Sequence, residues 1–338
     1  LPRGPEALAA HLRWQAGWCE QGGSPLYAHL LEKSAADAEV QGPVWDLLAG
    51  LEDVPNGAVL GLRFMGAVHR LVLTDSLAQL ARHYPSTGGD GDPHATWPLF
   101  RQAVVDHRDE IRALAGRPCQ TNEVGRSAAL LGGFLELAHR AGFPLRILEI
   151  GASAGLNLRW DRYRYESVGG AWGDPGSPVT FTHSYDVPPP MNRKAAVSER
   201  KGCDLHPVDP SSEGGALTLR SSIWADQLGR LAQLGGALEV ARRLPVEVEQ
   251  ADALSFLQRE LARPAPGLAT VVFHSLFMHY LPREHRQRVH EVIAESGVHE
   301  LGMEPSPTIF EIRLDGELLG TSGPHGTHVR WNVDSFQP

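Results

Sequence analysis

The stretch Glu149-Ile150-Gly151-Ala152-Ser153-Ala154-Gly155-Leu156-Asn157 carries the residue types and spacing best suited to holding a ligand. It continues a β-favouring run, Leu145 to Ile150, so the pattern predicts strand, tight turn and helix in succession. Gly151 permits the sharp turn that leaves the strand, and Gly155 lets the following helix begin tight against the sheet. Free backbone N–H groups at such a helix start, with the helix dipole behind them, hold an anionic group. Dinucleotide folds place a further glycine where Ser153 stands, so that backbone can approach a pyrophosphate. The serine therefore favours a ligand whose anionic end is smaller.

Later residues complete the expected site. Asp204 follows an apolar-flanked strand at Gly202 to Leu205, placed to accept from ribose hydroxyls. Its distance from the turn is about 50 residues, against ~20 in the dinucleotide fingerprint, so a long insertion must lie between them. Asp252 ends the strand Val246 to Gln250, where it can accept from an adenine amino group, and Ala253 leads into a helix over Leu254 to Leu261. Ala269 to His274 reads as a buried strand whose continuation, Ser275 to Leu281, is rich in aromatic residues at the carboxyl edge of the sheet. Ligands of open α/β sheets bind along that edge. Together these features predict S-adenosylmethionine, which carries a carboxylate and no pyrophosphate, in preference to NAD. Its expected contacts on the first strand and turn are Glu149, Gly151, Ala152, Ser153, Gly155 and Asn157, joined by Asp204, Asp252, Ala253 and His274 from the later strand ends.

Methyl transfer from a sulfonium needs mainly in-line positioning. If a general base exists, His274 or His279 is expected, because histidine titrates near neutrality; a hydrogen-bonded core histidine explains His274 equally well. Asn122, Glu123 and Arg126 fall largely on one side of a helix over Asn122 to Ala141, either reaching over the cleft or capping that helix with Thr121. Asn122 and Arg126, with Tyr163 and His325 from loops, are the expected contacts to a small-molecule substrate. A rival reading takes Gly151 to Gly155 as a nucleophile elbow, with Ser153, Asp252 and His325 in serine–acid–histidine order. Several strands precede such an elbow in α/β-hydrolases, whereas the chain upstream of Leu145 reads helical throughout.

The elements that must position these residues follow from periodicity. Up to about Gly142 apolar residues recur at helical spacing, as at Leu8, Leu12 and Ala16, in a third helix over Ala58 to His83, and in Pro98 to Ala115. Strands then alternate with helices, one of them over Ile223 to Arg243, and late strands fall at Thr308 to Leu314 and His328 to Asn332. That alternation predicts an α/β fold with a mostly parallel sheet. The expected division is a helical N-terminal domain, 1–142, and a Rossmann-like domain, 143–338, with an insertion at about 163–200.

The glycine turn, Ala251-Asp252-Ala253 and the His274 to Leu281 run resemble the successive motifs of class I S-adenosylmethionine-dependent methyltransferases. Gln120-Thr121-Asn122-Glu123-Val124-Gly125-Arg126, Cys203-Asp204-Leu205-His206-Pro207-Val208-Asp209 and Pro324-His325-Gly326 resemble, over nearly the whole chain, a bacterial domain-of-unknown-function family, numbered 2332. The resemblances imply a seven-stranded methyltransferase-like sheet and adenosylmethionine as cofactor. A serine hydrolase or a non-catalytic adenosyl-ligand-binding protein are the alternatives.

Composition narrows the partners. A net charge of −9 repels phosphate backbones, so no nucleic-acid partner is expected. The three cysteines lie far apart without a CxxC pair, arguing against disulfides or structural zinc and for a reducing cytoplasm. Sixteen histidines offer no HExxH-like spacing, so no metal is expected. No apolar run reaches the ~20 residues that cross a bilayer. An apolar helical domain could support a homodimer.

Overall fold

The computed structural model describes residues 4–51 and 59–331. Ala58, the expected start of the third helix, and Asn332, the expected end of the last strand, lie outside the described residues. The chain divides into two compact units, one of Leu1–Thr121 with Ser212–Ala232 and one of Asn122–Ser211 with Gln233–Pro338.

The first unit is helical. It holds α1 (Pro5–Gln21), α2 (Pro25–Glu39), α3 (Pro43–Leu48), α4 (Leu60–Leu73), α5 (Ala78–Ala81), α6 (Pro93–Asp106) and α7 (Arg108–Ala115), and later α9 (Glu213–Ser221). Proline opens α1, α2, α3 and α6, where its missing N–H costs nothing and its fixed φ suits the first turn. Asp92 caps α6 by accepting from the His94 and Ala95 N–H groups. Leu8, Leu12, Leu30, Leu31, Phe64 and Phe100 meet in one apolar core. The single helix expected up to His83 ends at Leu73, because the Thr74 hydroxyl donates back to the Arg70 and Leu71 carbonyls and Asp75 turns to a φ of 58°. The helix expected from Ile223 begins instead at Leu228, as α10 (Leu228–Arg243). The bend before it is fixed by Asp226, which accepts from the Ser24 hydroxyl and the Leu26 N–H.

The second unit opens with α8 (Arg126–Ala141) and carries a sheet of nine strands among the described residues, where seven were expected. Its strands are β1 (Leu145–Ile150), β5 (Tyr185–Val187), β6 (Val197–Asp204), β7 (Val248–Gln250), β8 (Ala269–Ser275), β9 (His299–Pro305), β10 (Phe310–Leu314), β11 (Glu317–Ser322) and β12 (Val329–Trp331). The order across the sheet is β5-β12-β11-β10-β9-β8-β1-β6-β7. From β9 to β7 all neighbours run parallel, served by α11 (Ala253–Leu261) and α12 (Arg283–Ser296) among the crossovers. From β9 to β12 the sheet is antiparallel for physical reasons: residues 306–309 are too few for a crossover, and Asp315-Gly316, both at positive φ, form a tight hairpin between β10 and β11; β5 then pairs parallel with β12 at the edge. A small sheet of β3 (Gly170–Trp172), β2 (Arg164–Ser167) and β4 (Thr180–Phe181) fills most of the expected insertion, and β6 begins inside it.

Helix α8 is the buried spine of this unit, with Ser127 to Ala138 enclosed on every face. At Gly132 and Gly133 an added Cβ would lie 2.3 Å from Trp331 and from Leu301 respectively, so only glycine lets the sheet come this close. Phe134 stacks on Trp160 at 4.4 Å and meets Phe273 edge-on at 5.2 Å. No helix among the described residues is long and apolar enough to cross a membrane.

Truncating that aromatic hub tests the packing. Phe134→Ala should cost about 3–5 kcal/mol in urea unfolding, by lost burial plus the cavity left behind.

Candidate functional site

Numbered by chain order, the parallel strands β1, β6, β7, β8 and β9 lie as 3-2-1-4-5 across the sheet. The order reverses between β1 and β8. In open α/β sheets crossovers leave on opposite faces at such a reversal, and ligands bind outside the carboxyl ends of the strands beside it.

The bend after β1 lies at this end of the sheet. Gly151, Ser153 and Gly155 have φ of 70°, 52° and 66°. An added Cβ at Gly151 would lie 2.2 Å from the Phe277 ring, and one at Gly155 would lie 2.8 Å from Val248 of β7, so both glycines are required by close neighbours as well as by backbone angle. The expected cradle of free N–H groups is corrected here. The Ala152 N–H donates to Cys203 O at 3.0 Å, the Ser153 N–H to Asp204 Oδ2 at 2.9 Å, and the Leu156 N–H to Asn122 Oδ1 at 2.8 Å. The expected α-helix is also replaced by a short 3-10 helix over Asn157–Arg162, so little helix dipole backs the bend. The local reason is Arg159, whose backbone leaves helical angles while its buried guanidinium bonds Gly155 O and Leu244 O.

Asp204 ends β6 half-buried beside the bend. Its second oxygen accepts from the His206 N–H at 2.8 Å, so both carboxylate oxygens are held by backbone donors and each keeps a further lone pair. Asp252 is exposed and caps α11 through the Ser255 N–H at 3.0 Å; that bond is the main reason its carboxyl titrates below the ordinary range. Ala253 is the first residue of the capped helix.

The motif residues singled out in the sequence converge on this edge. Asn122 and Glu123 lie in the loop before α8, which starts at Arg126 without a side-chain cap, so the capping reading fails. Asn122 holds the bend, and Ser127 donates to Asn157 Oδ1 at 2.7 Å behind it. Glu123 pairs with His325 Nδ1 at 3.1 Å, and Arg126 donates to Pro324 O and to Ser275 O at the end of β8. The two loops touch backbone to backbone: a Cβ at Gly125 would lie 2.2 Å from His325 O, and one at Gly326 1.9 Å from Gly125 O.

Tyr163 does not face a substrate. It is fully buried and its hydroxyl donates to Leu156 O at 2.6 Å, bracing the bend from behind. The serine–acid–histidine order gains nothing from the geometry either, since Asp252 caps its own helix and His325 pairs with Glu123.

Two groups behind the edge, a carboxyl and an imidazole, carry unusual protonation. Glu149 is buried, and its Oε2 has no hydrogen-bond partner. Burial, with the negative charge of Asp204 adding to it and Arg159 and Arg126 opposing, keeps its carboxyl protonated well above the ordinary range. His274, also buried, lies between Glu304 Oε1 (2.7 Å from Nδ1) and Glu300 Oε1 (3.1 Å from Nε2). Burial alone would drive it neutral, but the bonds to Glu300 and Glu304 outweigh that and raise its pKa to about 9. With both nitrogens donating, His274 has no lone pair for a proton and is not the base expected of it. Glu304 further accepts from the Phe277 and Met278 N–H groups and faces His279 Nδ1 at 3.4 Å; Glu300 also meets His290.

Glu300 and Glu304 were missed in the sequence, as was β9 itself. The available signal was Glu300-x-Gly302-x-Glu304, alternate residues on one strand face. Gly302 lies opposite His274, where a Cβ would come within 2.7 Å of the ring. Among the described residues no group of three or more histidine, cysteine or acidic side chains is arranged to hold a metal ion.

One family model, described as "Uncharacterized protein conserved in bacteria (DUF2332)", matches residues 9–331. Neither the curated proteins nor the solved structures give a match.

Two outcomes follow from this geometry. Gly151→Ala should cost about 1–3 kcal/mol of stability in urea unfolding, through left-handed strain and the clash with Phe277. The His274 cluster gives a pH signature. A histidine raised from about 6.5 to about 9 stabilises fully below the lower value and loses that contribution as pH rises through the higher one. Glu300, lowered to about 2 by His274 and His290 against its burial, contributes above its ordinary value near 4.5 and loses this as pH falls through 2. The cluster is therefore at full strength from about pH 4.5 to 6.5. Thermal melts between pH 7 and 9.5 should decline more steeply in the wild type than in His274→Gln.

Proposed function

The chain belongs to this uncharacterized bacterial family, and from that premise, which names no reaction, we propose that the sheet-bearing unit is an S-adenosylmethionine-dependent methyltransferase acting on a small molecule. The observation that carries the reading is the reversal of strand order between β1 and β8, with Asp204 held at the tip of the adjacent strand β6. The fold alone would fit many activities. The residues decide.

They fit the cofactor. The half-buried Asp204 has lone pairs left for a ribose diol, and its orientation is fixed before any ligand arrives. Asp252 and the Ala253 N–H, at the capped start of α11, suit an adenine edge. The orphaned Glu149 Oε2, buried next to the bend, is a polar atom whose missing partner a ligand would supply. With the Ala152, Ser153, Gly155 and Leu156 N–H groups of the bend engaged, the positive charge for a carboxylate falls to Arg126, positioned by Ser275 O and Pro324 O. When bound, this cofactor supplies an electrophilic methyl group on a sulfonium.

The chain's part is to orient, to exclude water and to take up a proton. Phe277, packed on Gly151, covers the bend with apolar surface. His279 is the base in this reading: with Nδ1 donating to Glu304, its Nε2 keeps a lone pair, and the side chain is 30% exposed at the edge. His274 organises Glu304 and does not itself take the proton.

Thermal unfolding with adenosylmethionine, its demethylated product and NAD tests the proposal. The first two should raise the midpoint by several degrees at about 100 times Kd, and NAD should not. Asp204→Asn and Asp252→Ala should each weaken binding about tenfold or more, one hydrogen bond to a charged group being worth that much. A wild-type midpoint unmoved by either adenosyl compound sinks the reading.

A further inference from the structure

The helical unit contains a cleft of about 480 Å³ between α4, α7 and α9, closed by residues 117–120. Three guanidiniums line it. Arg63 and Arg70 lie seven residues apart on α4, so two turns of helix put them on one face. Gly66 lies between them on that face, and a Cβ there would come within 3.1 Å of Ser221 O, so the glycine lets the end of α9 close the cleft. Arg117, from the segment after α7, supplies the third.

None of the three forms an ion pair among the described residues. Arg63 donates to Ala115 O and Arg70 to the Thr218 hydroxyl, which orients both heads without neutralising them. The charge acting on Arg70 is that of Arg117, which repels it. Many arginines elsewhere are matched with acids, as Arg13 is with Glu32 and Glu39, and Arg140 with Glu136 and Glu317, and those that bond only carbonyls, such as Arg112 and Arg159, are not gathered in one cleft. In a chain with net charge −9, three gathered and unmatched cations are a cost that the fold does not require. An anion between them removes it.

We propose that this cleft binds the phosphate group of a small phosphorylated molecule. Planar guanidinium forks match phosphate oxygens in pairs, and three of them offer more donors than a single carboxylate accepts. The hydroxyls of Thr218, Ser221 and Ser222 all donate back into carbonyls of α9, so recognition of charge rests on the arginines. Leu62, Leu114 and Pro118 form apolar wall for the rest of the ligand. The acidic chain as a whole disfavours a nucleic-acid polyanion. The proposal stands apart from the cofactor reading, and either can fail without the other.

Calorimetric titration of the full chain with inorganic phosphate and pyrophosphate, at fixed ionic strength, decides it. Saturable binding is expected, weakened at least about tenfold by Arg70→Gln and by Arg117→Gln, and changed less than about twofold by Arg288→Gln on α12. Arg117 is exposed, so its variant keeps the test valid if Arg70→Gln fails to fold. Absence of saturation up to about 10 mM, equal binding by the Arg117 variant, or acetate binding as tightly as phosphate overturns the proposal. Tighter binding of a short DNA duplex than of pyrophosphate also overturns it.

Discussion

The contact on which the carboxyl edge of the sheet depends is the hydrogen bond from the Ser153 N–H to the Asp204 carboxylate. Of the three left-handed residues within five positions, Gly151 and Gly155 bear that conformation freely, whereas Ser153 holds it because the surroundings over-determine it. Asp204 supplies the tie to β6, Asn122 the tie to the loop before α8, and Phe277 the lid over Gly151. The same carboxylate reinforces the effect of burial in keeping Glu149 protonated. One acidic side chain thus sets both the shape of the bend and the charge behind it.

Convergence is the second theme. Loops that are far apart in sequence, before α8, after β1, after β6, after β8 and between β11 and β12, meet at one edge through named bonds rather than through general packing. The Glu123–His325 pair and the interlocked glycines Gly125 and Gly326 make the loop between β11 and β12 a fixed part of that edge. Behind it, His274 with Glu300 and Glu304 forms a charged but internally matched layer that fixes the backbone of residues 277–278.

Much of this was legible in sequence where local chemistry dictates structure. The apolar run of β1, the glycines of the bend and Asp204 at the end of β6 each announce themselves by type and position. The helices of the first unit were visible as periodic apolar stripes, although the one expected from Pro98 begins at Pro93. What escaped was set by distant partners. β9 reads as polar because Glu300 and Glu304 face a histidine rather than solvent; β11, by contrast, had a local signal in the Asp315-Gly316 turn that the apolar pattern alone did not reveal. The segment Asn157–Arg162 has the residues of a helix, yet Arg159 turns back to bond the carbonyls of the bend. Tyr163 looked available in a loop and proved to be core, because its hydroxyl finds Leu156 O.

The large sheet ends on both sides in strands of only three residues, β5 and β7. An edge that short offers few unpaired backbone groups to another chain, a common natural defence against sheets joining edge to edge. Self-association by growth of this sheet is therefore disfavoured at both margins. A homodimer, if this chain forms one, has to be built from side-chain surfaces, where sequence change can tune or abolish it without touching the strands of the parallel core.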